Sequence, residues 1–177
     1  MLRPEQDGWK LIRHKMPETS EKPMMVRTVT GDEHLRFLGW KLEEEAREVE
    51  DAVLKKDSSA VIKEIADVRQ VLSDLCRVAG ILPAKLVIPT VDGVPNALDE
   101  RKVFFRAQVD RLVALSTSVP EDGADLMDRI GDILGVLNAV TDIPGIREQV
   151  VREMAAKFDE RGGFNPGVAW KVVEKAS

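Results

Sequence analysis

Apolar residues in this chain fall into helical register at residue 32. Leu35, Leu38, Leu42, Ala46, Val49, Ala52 and Val53 recur at steps of three and four, which places them on one face of an α-helix. Gly31-Asp32 marks the start, with Asp32 as the expected N-cap, and Lys55-Lys56 suits the negative end of the helix dipole. Asp57-Ser58-Ser59 breaks the run and offers caps to a second helix, which carries Val61, Ile62, Ile65, Val68, Leu72, Leu75, Cys76 and Ala79 and ends at Gly80. Pro83, Pro89, Pro95 and Asp92-Gly93 make 82–97 a linker, in which Leu86-Val87-Ile88 forms a short strand or tucks into the core. Further helices are expected over 99–115, 125–140 and 146–160, with turns at 120–123 and 141–145 and a short helix over 168–175. Ahead of all these, Pro4, Pro17, Pro23 and Gly31 exclude a long helix, and the loose alternation over 24–30 reads as extended.

The second half echoes the first. At an offset of 65 residues, 62–81 falls on 127–146 without a gap, with Ile65/Ile130, Asp67/Asp132, Val71/Val136, Leu72/Leu137, Gly80/Gly145 and Ile81/Ile146 identical. Two helical hairpins, each with an exposed apolar face, pack naturally on one another. The expected fold is therefore all-α, a single domain with a four-helix-bundle core built from two hairpins, the second a degenerate repeat of the first. Its parts are a first hairpin with an N-terminal arm (9–81), the linker (82–97), the second hairpin (98–145), and a C-terminal helix and tail (146–177).

Charge adds a location. The net charge is −5, and residues 41–67 hold nine acids against five bases. A surface of this sign repels nucleic-acid backbones, and the longest apolar runs, such as 133–140, fall short of the roughly 20 residues a bilayer requires. Neither nucleic acid nor membrane is an expected partner. Cys76 is the single cysteine, so no intramolecular disulfide forms, and the N-terminus lacks a basic-then-apolar signal pattern. Both fit a reducing cytoplasm.

Four of the acids sit within the apolar stripes. Glu45 lies three residues after Leu42 and four before Val49, and Glu48 follows at the edge of the same face. Glu64 stands between Val61 and Val68, and Asp67 lies four before Val71. These four carboxylates point into the space between two helices, where mutual repulsion and lost hydration are unfavourable without a compensating cation. A hard, oxygen-seeking ion such as Mg2+ answers this need. The one histidine in these helices, His34, lies three turns before Glu45, away from the acids, which disfavours zinc or a di-iron centre. Glu43, Glu44 and Glu50 read as a solvated helix face, and acids near Lys41, Arg47 or Lys63 as surface ion pairs.

Glu44-Glu45-x-x-Glu48 followed, after 15 residues, by Glu64-x-x-Asp67 resembles the signature of the all-α NTP pyrophosphohydrolase superfamily, which includes MazG, dimeric dUTPases and phosphoribosyl-ATP pyrophosphohydrolase. Lys10-Leu11-Ile12-Arg13-His14-Lys15-Met16-Pro17 resembles the KLVRDKIP motif of a MazG-like subgroup, and Lys157-x-x-x-Arg161-Gly162-Gly163-Phe164 its KxxxRGGF motif. The resemblance covers about 9–81 and 146–173. It implies Mg2+, with Mn2+ as a substitute, held by Glu45, Glu48, Glu64 and Asp67, the same four acids being catalytic and Glu44 supporting them. It also implies cleavage of a nucleotide between the α- and β-phosphates, with phosphates met by Lys10, Arg13, Lys15, Lys157 and Arg161. Nucleotide-pool house-cleaning is the implied role, and a homodimer or a pseudo-dimeric monomer the implied assembly.

His14 departs from the family's Asp, which puts that acid's role in doubt, and His14 itself reads as a polar surface residue. In the second half, Glu45, Glu48 and Glu64 correspond to Asp110, Val113 and Arg129, leaving only Asp132 as an equivalent acid. That half is expected to act as scaffold, with Arg129 able to reach toward phosphate. Among Trp9, Phe37, Trp40, Phe104 and Phe105, Trp40 is the candidate for stacking on a base, because it lies one turn before Glu44. Phosphoribosyl-ATP pyrophosphohydrolase and a catalytically silent helical module binding nucleotide or metal are the alternatives.

Overall fold

The computed structural model describes residues 9–11, 24–91, 93–163 and 168–172. Within them the chain forms an all-α bundle with a small sheet at its side. The helices are α1 (Gly31–Leu54), α2 (Ser58–Ala79), α3 (Leu98–Ser116), α4 (Gly123–Thr141) and α5 (Ile146–Arg161), with a 3-10 turn at Pro83–Lys85. Three strands, β1 (Lys10–Leu11), β2 (Met24–Thr28) and β3 (Val168–Val172), form an antiparallel sheet in the order β1-β3-β2.

The first hairpin turns where its residues demand it. Asp57 caps α2, its side chain accepting from the Ala60 N–H at 3.0 Å, which satisfies one of the otherwise orphaned donors of the first turn. Gly80 ends α2 in the left-handed conformation (φ 69°), and the Ile81 N–H reaches back to the Cys76 carbonyl at 2.8 Å. A side chain at this φ would be strained, so glycine is the favoured residue. Helix α1 begins two residues earlier than a cap at Asp32 implied. Thr30 occupies the cap position without a side-chain hydrogen bond, and Asp32 lies inside the first turn, where its charge favours the positive end of the helix.

Helices α1 and α2 pack antiparallel, α3 lies against α1, α4 against α3, and α5 against α2. Leu38 and Leu42 of α1, Ile65 and Leu75 of α2, Leu112 of α3, and Ile130, Ile133 and Leu137 of α4 are fully buried in one core, joined by Val150 of α5. Each such side chain contributes about 1.5–3 kcal/mol by leaving water. Among the described residues no helix is long and apolar enough to cross a membrane.

The linker lies directly on α4. Leu86 packs against the core, while Val87 and Ile88 are exposed and no strand forms. A Cβ placed on Gly131 would lie 2.2 Å from the Val87 carbonyl oxygen, and one on Gly135 would lie 2.8 Å from that of Pro89. The two glycines, one helical turn apart, leave a bare strip of α4 along which the linker backbone runs.

The tail departs from expectation. The stretch beginning at Val168 is strand β3, not a helix, pairing Ala169 with Leu11 on one side and Arg27 on the other. Its β-branched and aromatic residues suit a strand, and pairing with two distant segments overrides the local helical pattern. Leu11 and Ala169 are buried, and Arg27 lies over the rings of Trp9 and Phe37 at 4.6 and 5.6 Å. These contacts fix the sheet against α1.

Candidate metal centre

Glu45 and Glu48 on α1 face Glu64 and Asp67 on α2, because positions three apart on each helix share a face and the hairpin is antiparallel. Glu45, Glu48 and Glu64 each offer a carboxylate oxygen, all within 4.8 Å of one another. Among the described residues this is the one group of three metal-ligating side chains so placed. Glu45 is buried, Glu64 half-buried and Glu48 exposed, so the group forms a path from the helix interface to solvent.

Asp67, the fourth acid, is also buried, but a cation of the protein already holds it. Lys157 of α5 donates to Asp67 Oδ2 and, at 3.1 Å, to the Lys63 carbonyl oxygen. Lys41, one turn before Glu45, lies 2.6 Å from Glu45 Oε1 and 3.2 Å from Glu44 Oε1. The other oxygen, Glu45 Oε2, is fully buried with no hydrogen-bond partner. Leaving such an atom unpartnered costs about 1–3 kcal/mol or more when charged.

Electrostatics follow from this crowding. Burial, opposed by Lys41 and reinforced by Asp67 and Glu48, pushes the Glu45 carboxyl up to about 7. Partial desolvation raises Glu48, and its approach to Glu64 raises it further. Glu64 is raised by burial and by Glu45 and Asp67, while Glu48 and Lys157 pull it down. Burial depresses Lys41, yet Glu45 and Glu44 outweigh it, and its ammonium ends above the ordinary value. Without a bound metal ion, Glu45 therefore holds its proton up to near neutrality. The donor set fits Mg2+ or Mn2+: three oxygens, no nitrogen or sulfur, one oxygen buried and unbonded, and an open exposed side for water or phosphate.

The remaining expected residues separate. Glu44 is half-buried beside Lys41 and not among the three grouped acids. Glu43, expected on a solvated face, is buried and accepts from Arg47 at 3.1 Å. Lys10 is exposed on β1, and Arg161, exposed at the end of α5, lies 3.6 Å from Glu160. Arg13, His14, Lys15 and Phe164 lie outside the described residues. Trp40 is half-buried and packs edge-on to Phe37, with centroids 5.7 Å apart. Arg129 is engaged within the protein. It donates to the Leu115 and Thr117 carbonyls at 2.9 and 3.2 Å, satisfying orphaned acceptors at the negative end of α3. Asp110 is exposed and paired with Arg106.

Sequence reasoning passed over one buried carboxylate. Asp74 is completely buried one heptad after Asp67 and accepts from Gln70 Nε2 at 3.2 Å. Gly163 lies directly against this pair: a Cβ there would sit 3.0 Å from Asp74 Oδ1 and 3.1 Å from Gln70 Nε2. The double glycine after α5 thus brings the chain close to α2 before it enters β3. Continuing the 67, 70, 74 spacing along α2 would have pointed to Asp74. No protein-family model matches this chain, and no curated protein or solved structure matches it.

Proposed function

We propose that the chain is a Mg2+-dependent nucleotide pyrophosphohydrolase whose centre is the carboxylate group of α1 and α2. The observation that carries this reading is the approach of Glu45, Glu48 and Glu64 to within 4.8 Å around a buried, unbonded Glu45 oxygen. Those three side chains would hold the ion, with Asp67 beside them. When bound, the ion supplies charge neutralisation and Lewis acidity toward phosphate oxygens.

The protein's own groups have definite tasks. Lys41 fixes the orientation of Glu45 from one turn away. Glu48, the most exposed of the four acids, is placed to orient the attacking water and accept its proton. Lys157 brings a positive charge from α5 to the edge of the cluster, where it meets the charge that spreads over the phosphate oxygens during transfer. The products are a nucleoside monophosphate and pyrophosphate, and nucleotide-pool house-cleaning is the role that suits them.

A second reading rests on the same lysines. Lys41 and Lys157 already neutralise Glu45 and Asp67, so the acids would belong to a helical module with no chemistry of its own. Pyrophosphate release from a panel of NTPs and dNTPs, with Mg2+ and with EDTA, separates the two. Release that requires Mg2+ and falls at least a hundredfold in Glu45→Gln and Glu48→Gln supports the enzyme. Absence of release from every nucleotide supports the module.

A further inference from the structure

A second cavity lies on the other side of α2 from the acids. It has a volume of about 440 Å³ and is walled by α2, α4, α5 and the 3-10 turn. This lies within the size range of small-molecule pockets, about 300–1,000 Å³. Its lining is chiefly apolar, including Leu72, Leu134, Val150 and Met154, and two arginines, Arg69 and Arg147, also line it. The cavity is partly open to solvent and sets its cations beside an apolar wall.

Arg69 is the unusual member. It is only partly exposed, and its guanidinium donates to Asn138 Oδ1 at 3.1 Å and Thr141 Oγ1 at 3.2 Å, both neutral. Among the described residues no carboxylate pairs with it, although a half-buried guanidinium is stabilised most by a carboxylate fork. Arg147, on the same cavity wall, adds a second positive charge and, among the described residues, pairs only with the exposed Asp142, at 3.3 Å. Joining α2 to α4 would require Arg69 alone, not a second cation from α5 at the same apolar opening.

We infer that this cavity binds a small amphipathic anion, a single carboxylate or similar group on an apolar chain or ring, with the anion held by Arg69 and Arg147 and the apolar body among Leu72, Leu134, Val150 and Met154. The site shares no residue with the acidic cluster and does not depend on the function proposed for it. Cys76, the only cysteine of the chain, lines the same cavity and serves as a reporter.

The test is calorimetric titration of the full chain with decanoate and with 1-naphthoate, alongside the neutral decanamide and 1-naphthamide. One of the acids should bind at 1:1 stoichiometry, at least tenfold more tightly than its amide, and should slow alkylation of Cys76. Which acid binds more tightly tells an aliphatic body from an aromatic one. Arg69→Gln and Arg147→Gln should each weaken binding at least fivefold. Arg147 is largely exposed, so its variant decides the matter if Arg69→Gln does not fold. The proposal is overturned if neither acid binds, if an amide binds as tightly as its acid, if Cys76 alkylation is unchanged, or if a folded arginine variant retains full affinity.

Discussion

Glu45 concentrates the conflict within the site: a carboxylate buried on an apolar stripe, partnered by Lys41 through one oxygen and by nothing through the other. Its folded-state pKa, about 7, lies above the ordinary 4.5, so the native state binds a proton that the unfolded chain releases. The metal-free protein should therefore lose stability as pH rises from about 4.5 to about 7 and stay at the lower level above that. Glu45 alone accounts for roughly 3 kcal/mol of this loss. Glu48 and Glu64, shifted in the same direction, add to it. Urea unfolding in EDTA at pH 5 and pH 8 should show the decline in the wild type and a smaller one in Glu45→Gln, which has no charge to bury. An equal decline in both would place the pH dependence elsewhere. Lys157 offers a second test. Lys157→Met strips buried Asp67 of its ammonium partner and should cost about 1–3 kcal/mol in EDTA. Mg2+ should restore more stability to this variant than to the wild type, because Asp67, no longer held by Lys157, can then join the other three oxygens. Equal restoration would limit the metal ligands to Glu45, Glu48 and Glu64.

Elements were legible in proportion to how local their causes are. Helices α1, α2, α3, α4 and α5 all lie close to the ends set by apolar spacing, because caps such as Asp57 and Gly80 are themselves local signals. Strand β3 was not legible, since only pairing with β1 and β2 makes it a strand, and nothing in 168–172 announces those partners. The linker was legible as irregular chain but not as a packed layer. Gly131 and Gly135 have no local reason to be glycine inside α4, and their meaning appears only when Val87 and Pro89 lie on top of them. This contact yields a prediction at the same scale. Gly131→Ala would gain helix propensity of up to about 1 kcal/mol, yet its Cβ would stand 2.2 Å from a backbone oxygen. The contact should win, and thermal or urea unfolding should show a net loss of about 1–3 kcal/mol. A stabilised variant would mean that the linker lifts away from α4 at little cost.

For the molecule as a whole, the spacing of Glu45, Glu48, Glu64 and Asp67 was sufficient to place four acids on facing stripes, but not to show that three converge while Lys157 takes the fourth. The lysine arrives from 90 residues away along the chain, a distance that no helical periodicity encodes. The same long-range closure bears on assembly. The apolar stripe of α1 is covered by α2 and α3, that of α2 by α1 and α5, and α4 closes on α3 within the same core. Two hairpins of one chain thus supply the mutual burial that single hairpins would have to find in a second copy. Large apolar residues left outside, such as Leu54 on α1, Leu98 and Val103 on α3, and Phe158 on α5, are scattered over separate helices, as on ordinary protein surfaces. The protein should accordingly run as a monomer of 19.7 kDa in light scattering, with a melting temperature independent of protein concentration, since a folded monomer gains nothing from mass action. A mass near twice that value, with a melting temperature that rises with concentration, would mean that a face left open here is covered by a second copy, and the outer face of α3, with Leu98 and Val103 exposed, would be the first place to introduce a charge.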